Sequence, residues 1–264
     1  MVIVITGASS GIGYSIYKFF SKDKSNIVCS LSRSNKNNLP NFFKCDVTSY
    51  ENVKDCLNEI YNKFGKIDVL INNAGVGISG ALELTPIEET KKVIDTNFYG
   101  TYFCLKEAIK YLNKNGKIIN ISSACAFFPL PYRSIYSASK SAVNMLTFGL
   151  RMELENAGFQ VTTICPGDTK SGFNNNRIKI SSTNERYENG VSYSSKKIDK
   201  NYNKRMETDY VGCKIFKIIN KKKLKPLYII GCKYKLLYFV SKILPIKVVL
   251  KFTNKMFNKR SNNV

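Results

Sequence analysis

Seven short apolar runs punctuate the chain, at residues 2–5, 27–31, 42–45, 69–71, 117–122, 160–165 and 226–231. Most are unbroken rather than alternating, which is the pattern of strands buried on both faces. Between them the apolar residues return at helical spacing, most plainly at Val53, Leu57, Ile60, Tyr61 and Phe64. Similar patterns cover 14–20, 87–114, a stretch through Lys140 to about residue 155, and 206–220. Strand and helix therefore alternate, which predicts an α/β fold: one domain built on a doubly wound parallel sheet with helices on both faces.

Two segments break the alternation. Residues 172–205 are polar, with Asn174-Asn175-Asn176, Ser181-Ser182 and Ser194-Ser195. They read as a long loop, and a loop of that length in a compact domain is either disordered or a functional lid. Its position just after the run at 160–165 favours a lid that closes over a substrate. Residues 236–257 are apolar but interrupted by Lys242, Pro245, Lys247, Lys251 and Lys255, so they do not read as a membrane-spanning helix. Lys247, Lys251 and Lys255 fall on one helical face, opposite Val248, Val249 and Phe252. The domain is therefore expected to occupy 1–232, followed by a basic amphipathic extension at 233–264. Three roles suit such a helix: lying on an anionic membrane, contacting a partner subunit, or packing on its own core.

At 264 residues the chain has the length of one large α/β domain, and its formal charge is +22. That excess is concentrated late, since residues 210–264 hold 14 Lys or Arg and no Asp or Glu. A Lys-rich, Asn-rich composition throughout is a second source of the same charge. No nucleic-acid partner is expected, because no recognition motif accompanies the cations. The eight cysteines include no C-x-x-C pair and read as reduced, with no metal site. The first strand follows Met1 directly, leaving no basic region for a cleavable signal, so a cytoplasmic protein is expected.

Candidate chemistry centres on residues 122–140. Tyr136 and Lys140 are four apart, so on a helix they share one face. An ammonium there is expected to lower the phenol's pKa and fit it for acid–base work in a chain with no histidine. Ser123 lies at the end of the run at 117–122, on the rim where open α/β sheets bind ligands. Near the N-terminus, Gly7, Gly11 and Gly13 sit between a strand and a helix, the setting of a phosphate-binding turn. At the end of the second strand stand Ser32 and Arg33, where a free ribose 2′-hydroxyl would call for a carboxylate and a 2′-phosphate for a cation. Arg33 thus argues for NADP(H). Phe127, Phe128, Leu130, Pro131 and Tyr132 lie between Ser123 and Tyr136 and are expected to line an apolar mouth.

With Thr6-Gly-Ala-Ser-Ser-Gly-Ile-Gly13, Asn72-Asn-Ala-Gly75, Asn97, Ser123 and Tyr136-x-x-x-Lys140 in hand, residues 1 to about 170 resemble the short-chain dehydrogenase/reductase family. The resemblance implies a Rossmann-type fold and an oxidoreductase moving hydride between NADP(H) and a carbonyl or secondary alcohol. It implies a catalytic set of Asn97, Ser123, Tyr136 and Lys140, with Asn97 holding a water that links Lys140 to solvent. Asn97 as a structural tie is an equal reading. For the cofactor it implies Gly7, Ser9, Ser10, Gly11, Ile12 and Gly13 at the phosphates, Asp46 and Val47 beside adenine, and Asn73, Ala74 and Gly75 along the cleft. Tyr136, Lys140, Pro166, Gly167, Thr169 and Ser171 would then meet the nicotinamide side, with Thr169 departing from the family's valine. The apolar mouth favours a hydrophobic or lipid-like substrate, and a homodimer or homotetramer is expected. A redox-sensing or scaffolding protein at a membrane is the alternative, disfavoured because a binding module needs only the glycine loop.

Overall fold

The computed structural model describes residues 1–173, 177–200 and 202–257. Its strands are β1 (Val2–Thr6), β2 (Ile27–Ser32), β3 (Phe42–Lys44), β4 (Ile67–Asn72), β5 (Ile78–Ser79), β6 (Leu112–Ile121), β7 (Gln160–Pro166), β8 (Thr169–Lys170), β9 (Ile178–Lys179), β10 (Met206–Glu207) and β11 (Leu227–Ile230). Seven of them form one parallel sheet in the order β11-β7-β6-β4-β1-β2-β3. The order reverses between β1 and β4, and ligands of such sheets bind beyond the carboxyl ends of the strands at that point.

Strand pleat sorts the apolar runs onto two faces. Ile3, Ile5, Val28, Ile71 and Ile119 point to one side, where they meet Ile16 and Phe20 of α1 (Gly11–Phe20). Val4, Leu31, Leu70, Ile118 and Val161 point to the other and meet Val53, Leu57 and Ile60 of α2 (Tyr50–Phe64). Burying one such side chain contributes about 1.5–3 kcal/mol, and only a layer on each face can bury both sets. Serine chemistry and glycine geometry set the bounds of α2. The Ser49 hydroxyl accepts from the Asn52 N–H at 3.3 Å, and Gly65 ends the helix with φ +80.

The expected helix over 87–114 is divided. It comprises α3 (Ile87–Ile94), a π-helical turn at Asp95–Tyr99 and α4 (Gly100–Ala108), and β6 already begins at Leu112. The wide turn carries Asn97, whose buried side chain turns back to another segment. α5 (Ser134–Glu153) buries Tyr136, Ser139, Lys140, Val143, Asn144 and Thr147, a stripe at helical spacing that is mostly polar. It is satisfied from the sheet. The Thr163 hydroxyl donates to the Asn144 side-chain amide oxygen at 2.9 Å, and the Asn120 amide donates to the Thr147 hydroxyl at 2.9 Å. These bonds fix the helix's rotation, and with it the direction of Tyr136 and Lys140.

Residues 172–205 are not the plain loop expected. β9 pairs with β5, and α6 (Glu188–Lys200) follows, while Asn174–Asn176 of that reading lie outside the described residues. The last part of the chain holds β10, then α7 (Thr208–Ile219) against α1, β11, and two helices, α8 (Cys232–Ile243) and α9 (Ile246–Phe257). Their separation at Leu244 and Pro245 replaces the single stretch expected over 236–257, and residues 258–264 of the expected extension are outside the described residues. α9 is tied to α6, where the Lys197 ammonium donates to the Met256 carbonyl.

Candidate active site

Beyond the carboxyl ends of β1, β4 and β6 lies a cavity of about 1090 Å³ that gathers almost all of the expected site residues. The glycine loop forms one wall. Gly7 and Gly11 have φ +67 and +56, which favour glycine, and a Cβ on Gly13 would come within 2.4 Å of both the Gly7 oxygen and Asn73 Nδ2. Asn73 explains that closeness, because its amide donates to the Thr6 and Gly7 oxygens at 3.0 and 3.2 Å. The Thr6 hydroxyl in turn accepts from the Asn73 and Ala74 N–H groups at 2.9 and 3.0 Å. Two strand ends are thereby stitched into one rigid rim. Ser10 precedes α1 without a side-chain cap, leaving first-turn N–H groups directed at the cavity's loop wall.

At the end of β2, Ser32, Arg33, Ser34 and Lys36 line the same cavity. The Ser32 hydroxyl is buried with no hydrogen-bond partner among the described residues, and Arg33 is exposed beside it. Asp46 and Val47 line the neighbouring wall. A cradle with left-handed glycines, first-turn helix N–H groups and an orphaned hydroxyl fits the phosphates and ribose of a dinucleotide cofactor. Lys36 was not singled out from the sequence; it belongs to no motif and becomes a site residue only through the loop's course.

The other end of the cavity holds the candidate chemistry. Ser123, Tyr136 and Lys140 all line it, and Tyr136 and Lys140 are 8% and 4% exposed. Ser123 follows β6, and its hydroxyl accepts from the Cys125 N–H at 3.2 Å. The Lys140 ammonium donates to the Ile121 carbonyl at 3.0 Å, and burial pushes its pKa down to about 8. Tyr136 corrects an expectation. Its phenol is pushed up, not down, because burial and the neighbouring Cys125 outweigh the hydrogen-bonding Ser123 hydroxyl and the Arg133 charge. Helical spacing brought Lys140 to the right face, but the spacing alone says nothing of the solvent that Tyr136 loses.

Asn97 does not line the cavity wall. Its amide oxygen accepts from the Val76 N–H at 2.8 Å, and its amide donates to the Val76 oxygen and the Ser139 hydroxyl, both at 3.0 Å. Ser139 then donates to the Tyr136 carbonyl at 2.8 Å. Gly75 lies where this tie meets the lysine, since a Cβ there would be 3.1 Å from Asn97 Oδ1 and 3.4 Å from Lys140 Nζ. The side chain is thus a structural tie that stands close to Lys140.

Pro166, Gly167, Thr169 and Ser171 border the cavity as a short wall after β7. The Thr169 hydroxyl donates to the Gly167 oxygen at 3.0 Å, and Ser171 lies against Gly11, where a Cβ on the glycine would be 3.5 Å from the Ser171 Cβ. Three residues that the motifs did not point to join them. Arg133 is buried at the start of α5, Asp168 lines the catalytic end, and the Tyr234 ring of α8 lies against Gly167. Of the expected apolar mouth, Phe128 and Leu130 line the cavity, whereas Phe127 packs on Tyr238 with ring centres 4.7 Å apart. Pro131 and Tyr132 are not part of its wall, which is completed by Phe173 and by α8 and α9. No group of residues suited to a metal ion occurs among the described residues.

Known proteins share this fold. The family of short chain dehydrogenases matches residues 1–182. A 3-ketodihydrosphingosine reductase of Bacteroides thetaiotaomicron is 37% identical over 227 residues, covering 84% of each chain. ElxO, solved with NADP bound, is 30% identical with a TM-score of 0.72, over 89% of this chain and 98% of that one. A short-chain dehydrogenase from Streptomyces avermitilis, 22% identical, superposes with a TM-score of 0.79 over 97% of this chain and 96% of its own, which speaks for the fold. No helix among the described residues is long and apolar enough to cross a membrane. The glycine cradle, the Ser123–Tyr136–Lys140 end and the extent of these matches lead to one conclusion: this chain belongs to the short-chain dehydrogenase/reductase family and is an NAD(P)-dependent oxidoreductase.

Proposed function

We propose that the protein is an NADPH-dependent reductase of a long-chain, hydrophobic ketone. The observation that carries this is the placement of Ser123 and Tyr136 between the polar glycine-loop cradle and a wall rich in apolar side chains, including Phe128, Leu130 and Phe173. When bound, the cofactor supplies the hydride. Ser123 holds the carbonyl oxygen by a hydrogen bond, and Tyr136 donates the proton to that oxygen. A phenol pushed up by burial is fully protonated at neutral pH, which suits the donor needed for reduction rather than the base needed for oxidation. Lys140, with its pKa near 8, remains a cation at pH 7 and serves the ribose and the proton's replacement. Asn97 holds the segment around Val76 against Ser139 and so keeps Tyr136 in position.

Arg33 and Lys36 support NADP over NAD, as two cations where a 2′-phosphate would lie. The name of the Bacteroides relative supports a long-chain ketone. The reading includes peripheral association with an anionic membrane through the C-terminal helices. A panel of short ketones, acyl thioesters and long-chain ketones followed by NADPH absorbance tests the activity. Tyr136→Phe should lower turnover by at least about a hundredfold while NADPH binding is kept, the scale of a lost general acid. Near-parental turnover in that variant would remove Tyr136 from the mechanism.

A further inference from the structure

The cavity has a second end that hydride transfer does not require. It is built from α8, α9 and the turn between them, which contribute Leu237, Val240, Leu244, Val248 and Phe252 to the wall. The outer side of the same helices is unusual for a soluble surface. Among the described residues, nine of the eighteen large apolar side chains that are exposed fall between Leu236 and Phe252, including Phe239 at 64%, Ile243 at 66% and Ile246 at 67%. Single exposed apolar residues are ordinary, but a run this dense marks a surface that something covers. Val240, Leu244, Val248 and Phe252 belong to both sets, lining the cavity and standing exposed. They form its rim, so the cavity opens within the apolar face.

Charge decides what covers it. Lys233, Lys235, Lys242, Lys247, Lys251 and Lys255 are exposed on these two helices, and no carboxylate follows Asp209 in the chain. Pairing this face with its copy about a twofold axis would set one lysine group against another with no acid on either helix to relieve them. An anionic lipid surface answers both features, taking the apolar side chains into its acyl boundary and the ammonium groups among its headgroups. We infer that the α8–α9 face docks on anionic lipid with the cavity mouth against the bilayer, so that a long-chain ketone slides from the acyl layer to Tyr136 without crossing water. This deepens the reductase reading and rests on it for the nature of the substrate. The docking itself requires no turnover.

The chain has no tryptophan, so Phe239→Trp is a single reporter on this face. Its fluorescence should be quenched by phosphatidylglycerol–phosphatidylcholine vesicles with brominated acyl chains, less so at high salt and little by phosphatidylcholine alone. The pair Phe239→Ser with Ile243→Ser, neither of which lines the cavity, should weaken vesicle co-sedimentation at least tenfold while NADPH titration is unchanged. A second reporter, Phe128→Trp, sits in the cavity wall and should be quenched by a brominated long-chain ketone delivered in vesicles, and much more slowly when the Ser pair is present. An unquenched Phe239→Trp on anionic vesicles at low salt overturns the docking, as does equal quenching on phosphatidylcholine alone. Equal quenching rates at Phe128→Trp with and without the Ser pair overturn the access route. Failure to oxidise NADPH with any ketone would count against the reductase reading while these binding readouts still decide the inference.

Discussion

Lys140→Met should make the protein more stable at neutral pH, by an amount that disappears at alkaline pH. Lys140 is 4% exposed, and burial lowers its pKa from 10.5 to about 8. Because the folded state binds this proton less tightly than the unfolded chain, the charge opposes folding. That opposition is fully present below about pH 8 and is relieved as pH rises from there toward 10.5. At about 1.4 kcal/mol per pKa unit the span amounts to about 3 kcal/mol. Losing the hydrogen bond to the Ile121 oxygen costs the variant about 1 kcal/mol or somewhat more at every pH, so the measured quantity is the change in the difference between the two proteins. Urea unfolding of both at pH 7 and near pH 10.5 supplies it, with the other titrating groups cancelling in the comparison. The parent should gain about 3 kcal/mol on the variant over that interval. Stability curves that run parallel would show that Lys140 is not a strained buried cation, and would remove the basis for assigning it a pKa near 8.

Two further expectations concern the cofactor end. Arg33→Asp should move preference from NADPH toward NADH by at least tenfold in the ratio of kcat/KM, since it replaces an attraction for the 2′-phosphate by a repulsion; an unchanged ratio would leave Lys36 or neither as the discriminating cation. Gly13→Ala should lower stability by about 1–3 kcal/mol and weaken cofactor binding, because its Cβ meets Asn73 Nδ2 and the Gly7 oxygen at 2.4 Å. Gly149→Ala in α5 is the control: its nearest neighbour is Glu153 Oε1 at 3.9 Å, so thermal unfolding should show a gain of about 0.5–1 kcal/mol.

Strands were legible because unbroken apolar runs have few uses in a chain of this size, and 27–31 or 226–231 differ from β2 and β11 by a residue or so at each end. The assignment of Ile3 to one face and Val4 to the other was not legible, since runs that are apolar throughout carry no phase. The pattern at 87–114 concealed a π turn because the apolar spacing runs through it, and the partners of Asn97, Val76 and Ser139, lie 21 and 42 residues away. At the site, motif spacing found the side chains that share a local element. It could not find Arg133, Asp168 or Tyr234, which reach the cavity from three separate elements and belong to no pattern. The sign of the Tyr136 shift failed for a related reason: proximity to a charge can be read from spacing, whereas desolvation depends on Phe173 and the other groups that close over the ring.

The placement of α8 joins the two ends of the cavity. Tyr234, in its first turn, lies against Gly167, and a Cβ on that glycine would come within 2.0 Å of the ring, so α8 is seated on the wall that continues from β7. Burial there and the neighbouring Asp168 charge raise the Tyr234 phenol pKa. One turn later the same helix supplies Leu237, then Val240 at the rim, with Leu244 just past its end. A rigid helix seated at one end therefore sets the width of the opening at the other. In the proposed reductase, a chain reaching from the rim toward Tyr136 would pass along this helix, so α8 and α9 rather than the acid–base set would select its length. The chemistry could then stay fixed while substrate preference changes through the apolar wall, since Ser123, Tyr136 and Lys140 act on the reacting group and the last helices stand apart from it.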